Sequence, residues 1–210
     1  LLHAPFAVAG VAGLALGRTE FAPVVVADAG AVCWGAGAFV FLAAMARTVR
    51  DNPLGRETGT GDHNARRRRV DRAANLAVPV AFAYVLAGTY ETVAMAVDGL
   101  PLLLGRGSAA ASHLLAAGGA ALLLFAVGSR LLPRFLVAHP PYPLVAGVLA
   151  AGALGPVVLA RYLYVDPWFA VGAALEAAAV VGFAGTYALL WYRSDRDRLA
   201  FVGVGLAMAA

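Results

Sequence analysis

Seven apolar runs alternate with short polar segments along the 210 residues of the chain. A transmembrane helix needs about 20 predominantly apolar residues, and most of the runs approach or exceed that length. Outer-membrane β-strands would instead give alternating segments of about 10 residues, which the sequence lacks. The pattern therefore predicts an all-α fold, a polytopic transmembrane helical bundle of six to seven membrane-spanning helices. The runs lie at about Leu1 to Gly17, Pro23 to Ala46, Ala74 to Val97, Ser108 to Ser129, Leu144 to Ala160, Trp168 to Trp191, and Leu199 to the end.

The first and last runs look incomplete. The chain begins at Leu1 inside an apolar run, and the run from Leu199 to Ala210 is too short to span a bilayer. We expect residues 1–210 to form a single transmembrane domain that is part of a longer polypeptide.

The composition agrees with a lipid-matched surface. Hydrophobic residues make up 61% of the chain and charged residues 13%, about half the share of roughly 25% that soluble domains carry. This excludes a disordered tail and a water-soluble enzyme, and the single cysteine, Cys33, excludes a disulfide scaffold. All sixteen basic residues are arginine, so a retinal Schiff base on a lysine of these 210 residues is excluded as well.

The arginines predict an orientation. If the loop 48–72 is cytoplasmic, the inner segments hold thirteen arginines and the outer segments three, as the positive-inside rule requires. We therefore expect an integral protein of a prokaryotic plasma membrane with this Arg-rich loop on the cytoplasmic side. The run Arg66 to Arg69 is either a topology anchor or a site for anionic lipid headgroups.

Small residues indicate where the helices approach one another. Gly13 and Gly17 form a GxxxG pair, and Gly147, Ala151 and Gly155 form a longer stripe. Such residues let membrane helices pack closely.

Four ionisable residues inside the runs are the candidate site: Asp28, Glu91, His113 and Glu176. At a rise of about 1.5 Å per residue, all four lie about 8 to 12 Å beneath the outer boundary. A charged group in hydrocarbon is costly, so each needs a partner or a role. Together they are candidates to hold a transition metal, pass protons or bind a cationic group. The alternative is a set of separate interhelical hydrogen bonds.

His3 lies in the first run, about 21 Å below Gly17 and so toward the cytoplasmic side. It and His113 therefore serve two levels of the membrane, unless the boundaries differ from those above and both bind one haem. Arg130 and Arg134 lie at the inner end of the fourth run. They are either snorkelling anchors or partners of haem propionates, whose carboxylates match the planar guanidinium.

The stretch Ser112 to Gly118, continued by Gly128 to Phe135, resembles a helix of the NnrS family and, more loosely, of haem-copper oxidase catalytic subunits. The shared elements are a His, a Gly five residues on and an Arg near the far end. The segment His3 to Gly10 is similar to a second His-then-Gly element. The resemblance implies haem or copper as cofactor, His113 and His3 as ligands, and Arg130 as a propionate partner. The chain departs from the oxidases, which need about six ligand histidines, since it has four.

We interpret the sequence as a membrane protein that binds haem or a transition metal within its bundle, for electron transfer or nitric oxide and oxygen chemistry. A second interpretation is a proton-coupled transporter or cation-binding protein, built on the four ionisable residues. A third is a structural subunit of a membrane complex. The expected partners are the lipid bilayer and either other subunits or further copies of the chain, with no nucleic acid.

Overall fold

A computed structural model describes residues 3–19, 21–52, 55, 62–105, 107–195 and 202–205 of the protein. Within these residues the only regular secondary structure is helical. A single 3₁₀ turn at Asp62–Asn64 precedes the third long helix, and residues 202–205 are helical. The main helices are α1 (His3–Leu16), α2 (Val24–Val49), α3 (Arg68–Ala94), α4 (Gly107–Phe135), α5 (Tyr142–Arg161) and α6 (Trp168–Tyr192).

The predicted helical membrane architecture is confirmed, with fewer spans than expected in the described part of the chain. Five helices, α2 to α6, are long and apolar enough to cross a membrane. Helix α1 has 14 residues, too few to span a bilayer at about 1.5 Å per residue. The seventh predicted run lies mostly outside the described residues.

Helix α4 changes its winding along its length. It is α-helical over Gly107–His113, π-helical over Leu114–Ala121 and α-helical again over Leu122–Phe135. The Leu122 N–H donates to the carbonyl of Ala117, five residues back rather than four. Wide turns of this kind occur often at functional sites. This one begins directly after His113.

Helices that follow one another in the chain pack side by side. Helix α1 packs on α2 and α2 on α3, while α3 contacts α4 and α5, and α6 packs on α5 and on the last part of α4. We call the end with residues 50–67 the Arg-rich end and the other the opposite end. The connection 50–67 is shorter than the predicted loop 48–72, because α2 continues to Val49 and α3 begins at Arg68.

Glycines set the distance between α1 and α2. A Cβ on Gly13 would lie 2.7 Å from the Gly30 Cα, and a Cβ on Gly17 would overlap Ala27. The predicted GxxxG contact is confirmed. In the predicted stripe on α5, Gly155 packs against Glu176, whereas Gly147 has open space beside it.

Candidate functional site

The structure brings together two of the four predicted ionisable residues, His113 of α4 and Glu176 of α6. The His113 Nδ1 lies 3.7 Å from the Glu176 Oε1. Their side chains are 35% and 22% exposed, so both are partly withdrawn from the surface. The Oε1 atom itself is buried and has no hydrogen-bond donor among the described residues. Glu176 therefore has a buried hydrogen-bond acceptor without a donor, and it lies beside the His113 ring, which can carry a proton.

Small residues and one tyrosine shape the surroundings of this pair. A Cβ on Gly155 would lie 2.9 Å from the Glu176 Cγ, so α5 and α6 approach closely here. The buried Tyr84 of α3 donates its hydroxyl to the carbonyl of Ala153, two residues before Gly155 on α5. The Tyr84 ring occupies the space that a Cβ on Gly118 would need. These contacts fix the α4 backbone after His113 against α3.

A cavity of about 450 Å³ opens between α1, α2, α3 and α4 at the opposite end. Its walls are mostly apolar, and the charged groups in it are Asp28 of α2 and Arg18 of the α1–α2 turn. Neither makes an ion pair within the described residues. Trp34 also lines the cavity. Ser112 faces it from α4, directly before His113 in the chain. The volume is in the range of small-molecule sites, roughly 300 to 1,000 Å³.

Glu91 does not join His113 and Glu176. It is fully buried, and its carboxylate accepts hydrogen bonds from the Leu103 N–H at 2.8 Å and the Leu104 N–H at 3.0 Å. The expectation that it shares one site with the other three residues is replaced by a local role. Glu91 holds the connection between α3 and α4 in place, because these two N–H groups have no strand or helix to bond within.

Replacing Glu91 by Gln is expected to lower the melting temperature in detergent. The amide keeps one acceptor but turns its NH₂ toward a backbone N–H, and a buried unpaired group costs about 1 to 3 kcal/mol. The matched control is Asp98→Asn, which removes a carboxylate from the same connection at an exposed position. Equal melting temperatures for Glu91→Gln and Asp98→Asn would contradict this role.

Arg130 and Arg134 lie at the Arg-rich end, far along α4 from His113. Arg134 forms a bidentate pair with the buried Asp71, at 2.8 and 3.3 Å, and also donates to the Arg130 carbonyl. Arg130 donates to the Asn75 Oδ1 at 2.6 Å, and its Nε lies 4.0 Å from Asp71. The two arginines thus have protein partners of their own, Asp71 and Asn75, which join α4 to the start of α3.

His3 also lies apart from His113. Its ring packs edge-on against Phe41, with 5.5 Å between centroids. Phe41 lies toward the Arg-rich end of α2, whereas Asp28 lies at the start of the same helix. The two histidines therefore lie at different levels of the bundle, as their positions in the sequence predict.

Sequence reasoning assigned no role to Asp71 or Asn75, which the predicted boundaries placed in or next to the loop. The sequence does carry a signal for an ion pair at Asp71, because Asp71 is the single acidic residue among five arginines, Arg66 to Arg69 and Arg72. A lone carboxylate in such a segment is where an internal ion pair is to be sought.

Comparisons with known proteins give no relative for this architecture. No protein-family model matches the chain, and no curated protein or solved structure matches it significantly. The function is therefore inferred from the geometry of the side chains.

Proposed function

We propose that this helical membrane protein couples proton binding at His113 and Glu176 to the binding and transport of a small charged molecule in the cavity around Asp28. The observation that carries the proposal is the His113–Glu176 pair with its buried, donorless Oε1 atom. A proton on either side chain supplies the missing donor. Because the two side chains lie close together on different helices, the pair is suited to couple protonation to a movement of those helices.

The cavity favours a molecule with a positively charged group. Asp28 lies on an apolar wall without an ion-pair partner in the described part of the chain, and a carboxylate in such surroundings is stabilised by a cation. Trp34 adds an aromatic ring, and aromatic faces attract cations. Arg18 then receives a negative group on the same molecule. A zwitterion uses both charges, so we expect betaine to bind more tightly than choline, which has the same ammonium group and no carboxylate.

The link between the two places is helix α4. Ser112 lines the cavity and the adjacent His113 faces Glu176. Any rotation of this part of α4 on binding changes the distance between the His113 and Glu176 side chains. The π-helical turns begin at Leu114, directly after His113, so an exchange between i→i−5 and i→i−4 hydrogen bonds there would rotate this part of α4.

The test uses purified protein in vesicles with radiolabelled betaine and choline as probes. An acid-outside pH gradient is expected to raise betaine uptake, and His113→Asn or Glu176→Gln is expected to reduce that gradient-driven uptake at least about tenfold. Asp28→Asn is expected to weaken betaine binding, because among the described residues Asp28 is the carboxylate that lines the cavity. His3→Asn, which changes a histidine near the other end of the bundle that lines neither pocket, is the matched control.

Two results would overturn the proposal. One is gradient-driven betaine uptake that persists in both His113→Asn and Glu176→Gln. The other is betaine uptake by the native protein that does not respond to the pH gradient.

Haem or transition-metal binding is a second proposal, supported by the same pair. Metal-bound histidines usually direct their other ring nitrogen at a carboxylate, as His113 Nδ1 is placed toward Glu176. The described residues contain no group of three His, Cys, Asp or Glu side chains that fits a metal ion. His3, Arg130 and Arg134 have other neighbours. The remaining ligands would thus have to come from a porphyrin, and His113→Ala would remove the Soret band of such a protein.

A further inference from the structure

We infer that the Arg-rich end carries a binding site for a phosphate group, in a small pocket between the start of α3, the end of α4 and the α4–α5 turn. The lining residues that matter are Arg66, Arg67, Arg130, Ser129 and His139. This site is separate from the His113 pair, and it stands or falls independently of the proposed function.

Unpartnered hydrogen-bond donors are the first reason. Ser129 is 2% exposed, and its hydroxyl oxygen has no partner among the described residues. The buried Nε of Arg67 also has none. Buried polar groups are nearly always paired, so two donors without an acceptor in one pocket indicate an acceptor supplied from outside the protein.

Charge is the second reason. Three guanidinium groups line the pocket, and the one carboxylate in it, Asp71, already accepts two hydrogen bonds from Arg134. The guanidinium groups that line the pocket therefore carry more positive charge than its carboxylate compensates. The pKa of His139 is held below its usual value. Partial desolvation of the ring is the largest cause, and the positive charges of Arg67 and Arg66 add to it, as expected beside uncompensated positive charge. Arginine binds phosphate oxygens in bidentate fashion, which suits this arrangement.

The shape of the pocket limits how the phosphate lies. The pocket has room for about one water molecule, so one phosphoryl oxygen enters it and the rest of the group lies outside it, beside the exposed Arg66. An anionic lipid headgroup and free inorganic phosphate both offer such an oxygen. They differ in whether an acyl chain is attached.

The experiment places the protein in nanodiscs and measures bound lipid by native mass spectrometry, with phosphatidylglycerol and phosphatidylcholine as matched probes. Arg67→Gln and Ser129→Ala are expected to weaken phosphatidylglycerol binding, Arg67→Gln by about tenfold. Arg69→Gln is the matched control, because it removes one charge from the same segment at an exposed position that does not line the pocket. A second readout is His139, whose pKa is expected to rise when a phosphate compensates Arg66 and Arg67.

The outcomes separate the two sources. Preferential phosphatidylglycerol binding that inorganic phosphate does not displace assigns the site to a lipid. A rise of the His139 pKa with inorganic phosphate in neutral detergent, without lipid preference, assigns it to the free ion. Equal losses in Arg67→Gln and Arg69→Gln would overturn the site in favour of diffuse charge attraction, and so would no binding of either probe.

Discussion

Arg134→Met is expected to destabilise the protein severely, because it leaves a buried carboxylate without its main ion-pair partner. Asp71 has a side-chain exposure of 2%, and without Arg134 its nearest cationic atom is the Arg130 Nε at 4.0 Å. Removing one member of a buried pair costs about 3 to 5 kcal/mol, because a charge is left without compensation. The measurement is the midpoint of unfolding in detergent, by heat or by denaturant.

The reverse substitution gives an internal check on the cause. In Asp71→Leu the remaining Arg134 side chain is about one-third exposed and reaches water, so the loss should be smaller than in Arg134→Met. The double variant Asp71→Leu with Arg134→Met should recover much of the loss, since replacing a buried pair by apolar residues is often close to neutral. Arg134→Lys keeps the charge but not the bidentate geometry, so its unfolding midpoint should lie between those of Arg134→Met and the native protein. If Arg134→Met unfolds at the midpoint of the native chain, the pair has no structural role.

Gly30→Ala is expected to separate α1 from α2. A Cβ on Gly30 would lie 2.5 Å from the Leu14 backbone nitrogen and 2.7 Å from the Gly13 carbonyl carbon. Backbone atoms of a helix cannot give way as a flexible side chain does, so the two helices must move apart. Overpacking of this kind costs about 1 to 3 kcal/mol.

A matched glycine isolates the effect of contact. Gly185 lies inside α6, and a Cβ added there would have no neighbouring atom within 4 Å. Gly185→Ala should therefore be neutral or stabilising by up to about 1 kcal/mol through helix propensity. The two substitutions are chemically identical, and only Gly30→Ala should lower the unfolding midpoint. Equal midpoints would mean that the α1–α2 contact contributes nothing to stability.

The helical architecture was predictable because apolar run length is nearly sufficient to define a membrane helix. The depth of the ionisable residues was predictable too, since rise per residue is constant along a helix. Depth placed His113 and Glu176 at one level, and the structure brings them together. Depth does not give direction around the helix axis, however. That is why Glu91, at the same level, bonds instead to the connection that follows its own helix.

The other differences have equally local causes. Gly147 and Gly155 looked equivalent in the sequence, but only Gly155 contacts α6. Eight residues turn a helix by about 80° more than two full turns, so the two glycines point in different directions. The Arg130 and Arg134 partners were missed because α3 begins at Arg68, about one and a half turns before the predicted boundary at Ala74. Partners that lie 55 and 63 residues away along the chain leave no trace in hydrophobic periodicity.

The π-helical stretch Leu114–Ala121 has a consequence for the length of α4. It lies between His113, which faces Glu176, and the arginines that face Asp71 and Asn75. Each residue of an α-helix turns the chain by about 100°. Losing one residue from a regular α-helix would swing one end around its axis by about that angle, so only one of the two sets of partners would still be met. The π-helical stretch holds one residue more per wide turn, so losing one residue there restores α-helical hydrogen bonding and leaves both ends of α4 facing their partners. This stretch is thus the part of α4 in which a one-residue deletion is accommodated.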